Sequence, residues 1–343
     1  MPDPEITTDT QTAHAAIVRR VDRRTRSSGE VEWPCAPALI DIYLNRAALL
    51  FTALGKAFSE SELSQLREIL LKKLREGYDT SPHNLLVLAW TPQTSQAGGI
   101  DYEVWVRYRS LESQYAGWVE NKDPPLFGKN PDARVMDAAR RLPPDSRILD
   151  IGAGTGRNAL PLAQAGFCVD AIELTPAFAQ ILSSAAAERN IRLTVLQGDL
   201  FETSLDELGY DLIIASEVTS HFRALSALES FVHRCRSALK PRGQLLFNAF
   251  VSEFGYQPEA IDRELAEVLW STLYTPEDLD RVSDGFTVVS SEDMFEYERA
   301  RSKVEDWPPT GWFTGWSQGY DLYELAEHRP PMRLCWHVWQ RDA

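Results

Sequence analysis

The segment Arg147-Ile148-Leu149-Asp150-Ile151-Gly152-Ala153-Gly154-Thr155-Gly156-Arg157-Asn158 has the residue types and spacing best suited to chemistry in this chain. An apolar run enters a glycine-rich turn that opens a helix. Glycines let the turn bend tightly and let a ligand approach without a Cβ in the way, while helix N–H groups face it. The spacing is GxGxG. Arg157 stands where a GxGxxG fingerprint has its third glycine, which argues against NAD or FAD. A second apolar run ends in Glu173, about 20 residues past the turn and placed to accept from two ribose hydroxyls. A third ends in Gln197-Gly198-Asp199-Leu200, with a carboxylate for a purine amino group and an apolar side chain to pack on the base.

A fourth run ends Ala215-Ser216-Glu217-Val218-Thr219-Ser220-His221-Phe222. His221 has an ordinary pKa of about 6.5, suited to removing a proton near neutrality; its other reading is a residue that opens the next helix and bonds to backbone. Glu217 is placed to face a ligand's ammonium group or to cap a helix.

These residues need elements to hold them. Strands are expected at 147–151, 168–173, 191–196, 210–216 and 243–250, with helices starting near Arg157, Pro176 and Phe222. Regular alternation of strands and helices means a parallel sheet covered on both faces, an α/β class fold of Rossmann-like form. Ligands of such sheets sit beyond the carboxyl ends of the strands, so 217–222 borders the pocket.

The order Asp150-x-Gly152-x-Gly154-x-Gly156, Glu173, Gly198-Asp199, Ala215-Ser216-Glu217 and Lys240-Pro241-Arg242-Gly243 resembles the class I methyltransferases that depend on S-adenosylmethionine (SAM). Gly156-Arg157-Asn158 followed by Leu160-Pro161-Leu162-Ala163 is similar to their tellurite-resistance-type, small-molecule branch. The resemblance implies a seven-stranded, mostly parallel sheet whose last strand, Met332 to Gln340, is antiparallel, with Phe286 to Tyr297 as its parallel neighbour. It implies SAM as cofactor, with Gly152, Ala153, Gly154 and Arg157 around its methionine part and Asp150 positioning the turn and the ligand amine. Glu173 would hold the ribose, Leu174 and Leu200 the adenine with Asp199 at its edge, and Glu217 the ammonium end. Methyl transfer from a sulfonium requires mainly proximity and exclusion of water, so a conspicuous catalytic motif is not expected. His221 and Glu217 are the catalytic candidates.

The acceptor is read as a small molecule methylated on oxygen or nitrogen. Enzymes that methylate base amines or glutamine amides carry Asn/Asp-Pro-Pro-Tyr/Phe after the fourth strand, and this chain does not. The connection 298–331 and the insertion 251–274 fall at the carboxyl edge and are rich in aromatics. Tyr256, Trp312 and Trp316, with Tyr115 and Trp118 from the segment ahead of the core, are the candidate acceptor contacts, suited to an aromatic or cationic acceptor or simply to a local core.

The chain has 343 residues, 50 acidic and 35 basic side chains and a net charge of −15. Such a balance repels polyanions and points away from nucleic acid. No apolar stretch reaches the roughly 20 residues of a membrane span, no secretory signal is seen, and the four cysteines lack metal-ligand spacing, so a cytoplasmic protein without a metal is expected. Residues 1–30, including the basic run Arg19 to Arg26, read as a disordered tail. Residues 31–120 read as an α+β accessory unit, with helices over 36–55 and from a capping box at Ser59 to Gly77, strands at 84–90 and 100–108, and a surface for homodimerisation. Residues 121–343 read as the methyltransferase domain. The competing readings are a protein or nucleic-acid methyltransferase that docks its substrate on the 31–120 unit, and a SAM-binding regulatory protein without turnover.

Overall fold

In the computed structural model, residues 6–343 are described except 23, 25, 94–99, 110–113, 116, 118, 120–124 and 129. The chain divides into two units, 1–111 and 112–343.

In the first unit, helix α1 covers Thr10–Asp22 where a structureless tail was expected, although none of its residues is buried. Strand β1 (Gly29–Pro34) follows, then α2 (Ile40–Ala53), α3 (Glu60–Thr80), β2 (Leu85–Pro92) and β3 (Ile100–Arg107). The three strands form an antiparallel sheet in the order β1-β2-β3. Ser59 and Glu62 make the expected capping box at the start of α3. Gly77 does not end α3. It lies inside the helix, at a position where a Cβ would collide with Cys35 Sγ, and its carbonyl accepts from Asn84 Nδ2 at 2.9 Å.

The second unit begins with α4 (Ala133–Ala139), β4 (Arg147–Ile151), α5 (Ala159–Gln164), β5 (Cys168–Glu173), α6 (Pro176–Glu188), β6 (Thr194–Gln197) and β7 (Tyr210–Ala215). It continues with α7 (Leu225–Ala238), β8 (Leu239–Ser252), α8 (Ala260–Val268), β9 (Leu273–Tyr274), α9 (Pro276–Val282), β10 (Phe286–Asp293), α10 (Met294–Arg301), α11 (Phe313–Ser317) and β11 (Met332–Arg341). The sheet order is β10-β11-β8-β7-β4-β5-β6, with the two-residue β9 added beside β8. The inner strands are parallel, and β11 is antiparallel to both its neighbours. The stretch 286–297 therefore pairs antiparallel with the last strand, running in the direction of β8, and only 286–293 is strand; α10 takes up the rest.

Alternating side chains feed two cores. Ile148, Leu212, Ile214 and Leu246 enter one layer, and Leu149, Ile213 and Leu245 the other. All seven are fully buried, at about 1.5–3 kcal/mol each, which fixes the register of β4, β7 and β8. From β4 the chain steps to β5 on one side, then crosses back to β7 on the other. The crevice at that reversal, beyond the strand ends, is where open α/β sheets hold ligands. Among the described residues no helix is long and apolar enough to cross a membrane.

Candidate cofactor site

The glycine turn leaves β4 after Ile151. The N–H groups of Gly152 and Ala153 both donate to the Ile172 carbonyl, at 2.9 and 3.0 Å, so β5 pins the turn. Gly152, Gly154 and Gly156 have φ of 68°, 55° and 93°, left-handed values that glycine adopts without strain. A Cβ on Gly152 would meet Val218 Cγ2 at 2.6 Å, and one on Gly154 would meet the Phe127 ring at 3.3 Å. Glu173, at the end of β5, turns into the same crevice. Its Oε2 accepts from Gly154 N at 2.8 Å and its Oε1 from Thr175 N at 2.7 Å. Burial pushes its pKa up, and the bonds from Thr175 and Gly154 oppose the shift.

Asp150 is 2% exposed, and among the described residues its Oδ2 has no hydrogen-bond partner. Burial first, and then the neighbouring Asp132 carboxylate, push its pKa up to about 7. Leaving a buried acceptor unpaired costs about 1–3 kcal/mol, a cost that a ligand N–H would remove.

Asp132 is a hub that the sequence does not announce. It precedes α4, and its carboxylate accepts from Arg157 Nη1, from Asn158 Nδ2 at 2.9 Å and from Ser216 Oγ at 2.8 Å. Arg157 Nη2 donates to Glu217 Oε1 at 3.0 Å. Both ends of the Arg157 guanidinium are thus engaged by protein carboxylates, and its side chain is 10% exposed. Arg157, expected beside the cofactor, lies within the protein's own ion-pair network. Glu217 also has φ of 61°, strain that structures retain where surroundings over-determine it. Its N–H donates to Asn248 Oδ1 at 2.7 Å, and Asn248 O accepts from Thr219 Oγ1 at 2.5 Å. Asn248 on β8 thereby fixes the loop that carries Glu217 and His221.

His221 falls in a short 3-10 turn, Thr219–His221, before α7. Its Nε2 is 3.2 Å from the Tyr115 hydroxyl. Burial pushes its pKa down to about 4, below the ordinary value of about 6.5. Thr272 Oγ1 bonds to the carbonyls of Ser220 and Phe222 at 3.0 and 2.6 Å, and Tyr274 OH to that of Thr219 at 3.1 Å.

Leu174 is 43% exposed at the crevice, while Leu200 is buried in a core layer. Asp199 is exposed, with Oδ1 accepting from Phe201 N at 2.8 Å. Of the aromatic candidates, Tyr115 joins His221. Tyr256 bonds instead to Tyr323, hydroxyl to hydroxyl, at 2.9 Å. Trp316 packs edge-on to Phe250 at 5.0 Å, against the core. Trp312 is half-buried ahead of α11, and Trp118 lies outside the described residues. Trp270, one of the aromatics of the 251–274 insertion, stands beside Tyr115, as do Phe127 and Phe178, which sequence reading passed over. Phe127 and Phe178 sit apart from any motif, so no sequence signal marks them.

These residues fit SAM. A buried carboxylate with one oxygen unpaired among the described residues suits an ammonium group, the exposed Leu174 suits a base, and the carboxylates around the turn suit a ligand with net positive charge. The sequence family described as a methyltransferase domain matches residues 148–243. A ubiquinone biosynthesis O-methyltransferase of Rickettsia akari (strain Hartford) is 34% identical over 101 residues, 29% of this chain and 39% of the relative. The enzyme of that name from Xanthomonas axonopodis pv. citri (strain 306) is 27% identical over 137 residues, 40% of this chain and 54% of the relative. The chain thus spans about half the length of these curated relatives or less, and they lend nothing to the tellurite-resistance-type likeness. The crystal structure of a geranyl diphosphate C-methyltransferase from Streptomyces coelicolor A3(2) is 16% identical with a TM-score of 0.46, covering 61% of this chain and 78% of that one. Residues 148–243 thus carry a methyltransferase domain, and the four motifs in register and the strand order are similar to those of the class I SAM-dependent methyltransferases.

Proposed function

We propose that the chain binds SAM at the β4 turn and transfers its methyl group to an oxygen or nitrogen of a small molecule. The observation that carries this reading is Asp150, whose Oδ2 is buried beside the GxGxG turn without a partner among the described residues. Asp150 would take the amino group of the cofactor, the turn its methionine part, Glu173 the ribose, and Leu174 and Asp199 the adenine. When bound, SAM supplies a methyl group already activated on a sulfonium. The protein's share is then to hold the acceptor in line and keep water out.

Glu173 keeps a lone pair on each oxygen beyond those used by Gly154 and Thr175, so a ribose hydroxyl can join without displacing either N–H. Tyr115, Glu217 and His221 border the acceptor end. His221 is uncharged at neutral pH and serves as a hydrogen-bond partner more than as a strong base. The charge balance supports a small-molecule acceptor over nucleic acid.

Calorimetric titration with SAM and with S-adenosylhomocysteine (SAH) tests the reading. One site per chain for each is expected. Absence of binding by both at millimolar concentration, with the fold intact by circular dichroism, would overturn it.

A further inference from the structure

Beyond the ends of β4, β5 and β7, five rings close on one another. Tyr115 lies 5.3 Å from Phe178, 6.4 Å from Phe127, 6.0 Å from Trp270 and 6.3 Å from His221, between ring centroids. His221 and Trp270 are 5.9 Å apart, nearly perpendicular. Trp270 has φ of 63°, another non-glycine residue held in the left-handed region, and it follows α8 directly. The ring faces carry negative potential, which attracts cations.

The charges beside these rings have one dominant sign. Asp132, Asp150, Glu173 and Glu217 are acidic, with burial raising the pKa of the last three and Arg157 opposing that shift at Glu217, and Glu217 and Glu173 act on Tyr115 itself. The guanidinium among them, Arg157, is shared by Asp132 and Glu217. Glu217 is a quarter exposed against a tenth for Arg157, so the carboxylate is the partner that reaches the open side of the pair. Burial keeps His221 neutral. An anionic acceptor would meet uncompensated like charge, and a neutral one would forgo both the rings and Glu217.

We propose that the acceptor of this site is an amine that binds as its ammonium form, with its head against the rings of Tyr115 and Trp270 and its charge paired to Glu217; it passes one proton to the Glu217 carboxylate, its freed nitrogen lone pair then takes the methyl group as the S–C bond breaks, and SAH leaves neutral while the product keeps the positive charge. The proposal rests on the reading of the β4 turn as a SAM site. It narrows the acceptor from oxygen or nitrogen of a small molecule to a cationic nitrogen compound.

The test uses three probes of one shape and different charge: choline, neutral 3,3-dimethylbutan-1-ol and anionic 3,3-dimethylbutanoate. Each is titrated calorimetrically into the full chain, with saturating SAH and without it. Choline is expected to bind at least about tenfold more tightly than the alcohol, and the carboxylate more weakly than both. Glu217→Gln should reduce the choline-to-alcohol preference to about threefold or less. Trp270→Leu should weaken choline about fivefold or more while the SAH dissociation constant stays within about threefold.

A neutral or anionic probe that binds as well as choline overturns the proposal, as does a preference undiminished in Glu217→Gln or no choline binding up to about 10 mM. The comparison of probes on the unaltered chain does not depend on any variant folding. Failure of SAH to bind would overturn the cofactor reading instead, and the titrations without SAH then decide the cation preference by themselves.

Discussion

The hydroxyl of Tyr115 stands 3.2 Å from Nε2 of His221. Burial pushes the tyrosine pKa up, helped by Glu217 and Glu173, and pushes the histidine pKa down to about 4. At neutral pH the phenol therefore keeps its proton and the imidazole is uncharged. The pair is a neutral hydrogen bond.

His221 should consequently leave no mark near pH 6.5. Its folded pKa lies below the unfolded value of about 6.5, so its contribution to stability is complete above that value and is lost as pH falls toward 4. Titration of its ring by NMR should show a midpoint near 4, and kcat against pH should lack a limb at 6.5. His221→Ala should lower kcat less than about tenfold, since a base this weak contributes little. A midpoint near 6.5, or a loss of a hundredfold or more, would restore the role of general base.

Asp150 has the opposite sign. Its folded pKa of about 7 exceeds the unfolded value of about 3.9, so stability is greatest at low pH and is lost as pH rises through 7. Asp150→Asn removes the ionisation. At pH 8 the cofactor-free variant should be more stable than the parent by roughly 2–4 kcal/mol, with little difference at pH 4. SAM affinity should fall at least tenfold. Chemical denaturation at the two pH values, with calorimetry at pH 8, reads both outcomes. A variant less stable at pH 8 would mean that the bond from the Ala159 backbone and the attraction of Arg157 outweigh the burial of the charge.

The strand–turn–helix around Gly152 was legible because three features of one short segment coincide: an apolar run, glycines at every second position and a helix start. Glu173 followed from its distance to that turn. The state of His221 was not legible. Its burial is made by Tyr115 and Trp270, far off in the chain, and by the bonds of Thr272 and Tyr274 that hold its turn. Asp132 escaped notice for the same reason: Pro131-Asp132 marks a helix start in sequence, and only the fold brings Arg157, Asn158 and Ser216 to its carboxylate. The run at 286–297 has apolar residues enough for a strand throughout, but Asp293 caps a helix by accepting from Glu296 N at 2.9 Å, and the strand stops there.

Glu173→Gln separates the two tasks of that side chain. Both carboxylate oxygens accept backbone N–H bonds, from Gly154 at 2.8 Å and Thr175 at 2.7 Å. An amide has one accepting oxygen, so one of these donors must face an NH2 group. The cofactor-free protein should lose about 1–3 kcal/mol, and SAM affinity should fall at least tenfold. Thermal unfolding and calorimetry measure the two separately. Unchanged stability would show that the backbone bonds are dispensable, and unchanged affinity would remove Glu173 from the ribose.

The three glycines of the turn should fail in different ways when each is replaced by alanine. All have φ in the left-handed region, so each alanine incurs strain of about 1–2 kcal/mol. Around Gly156 the added Cβ would also meet Leu182 Cδ1 at 2.4 Å and Leu160 Cδ1 at 2.9 Å, both in the core. Around Gly154 it meets only the Phe127 ring, at 3.3 Å, a contact relieved by a small shift of that ring. Gly156→Ala should therefore be the more destabilising by about 1–3 kcal/mol, from overpacking. Gly154→Ala should fold with a modest loss of stability and yet lose SAM affinity, because its Cβ projects into the crevice the ligand must enter. Adding Phe127→Ala to Gly154→Ala removes the ring contact but leaves the Cβ in place. If binding returns in the double variant, the ring and not the turn was the obstacle; if binding stays lost, the turn at Gly154 is where the cofactor passes.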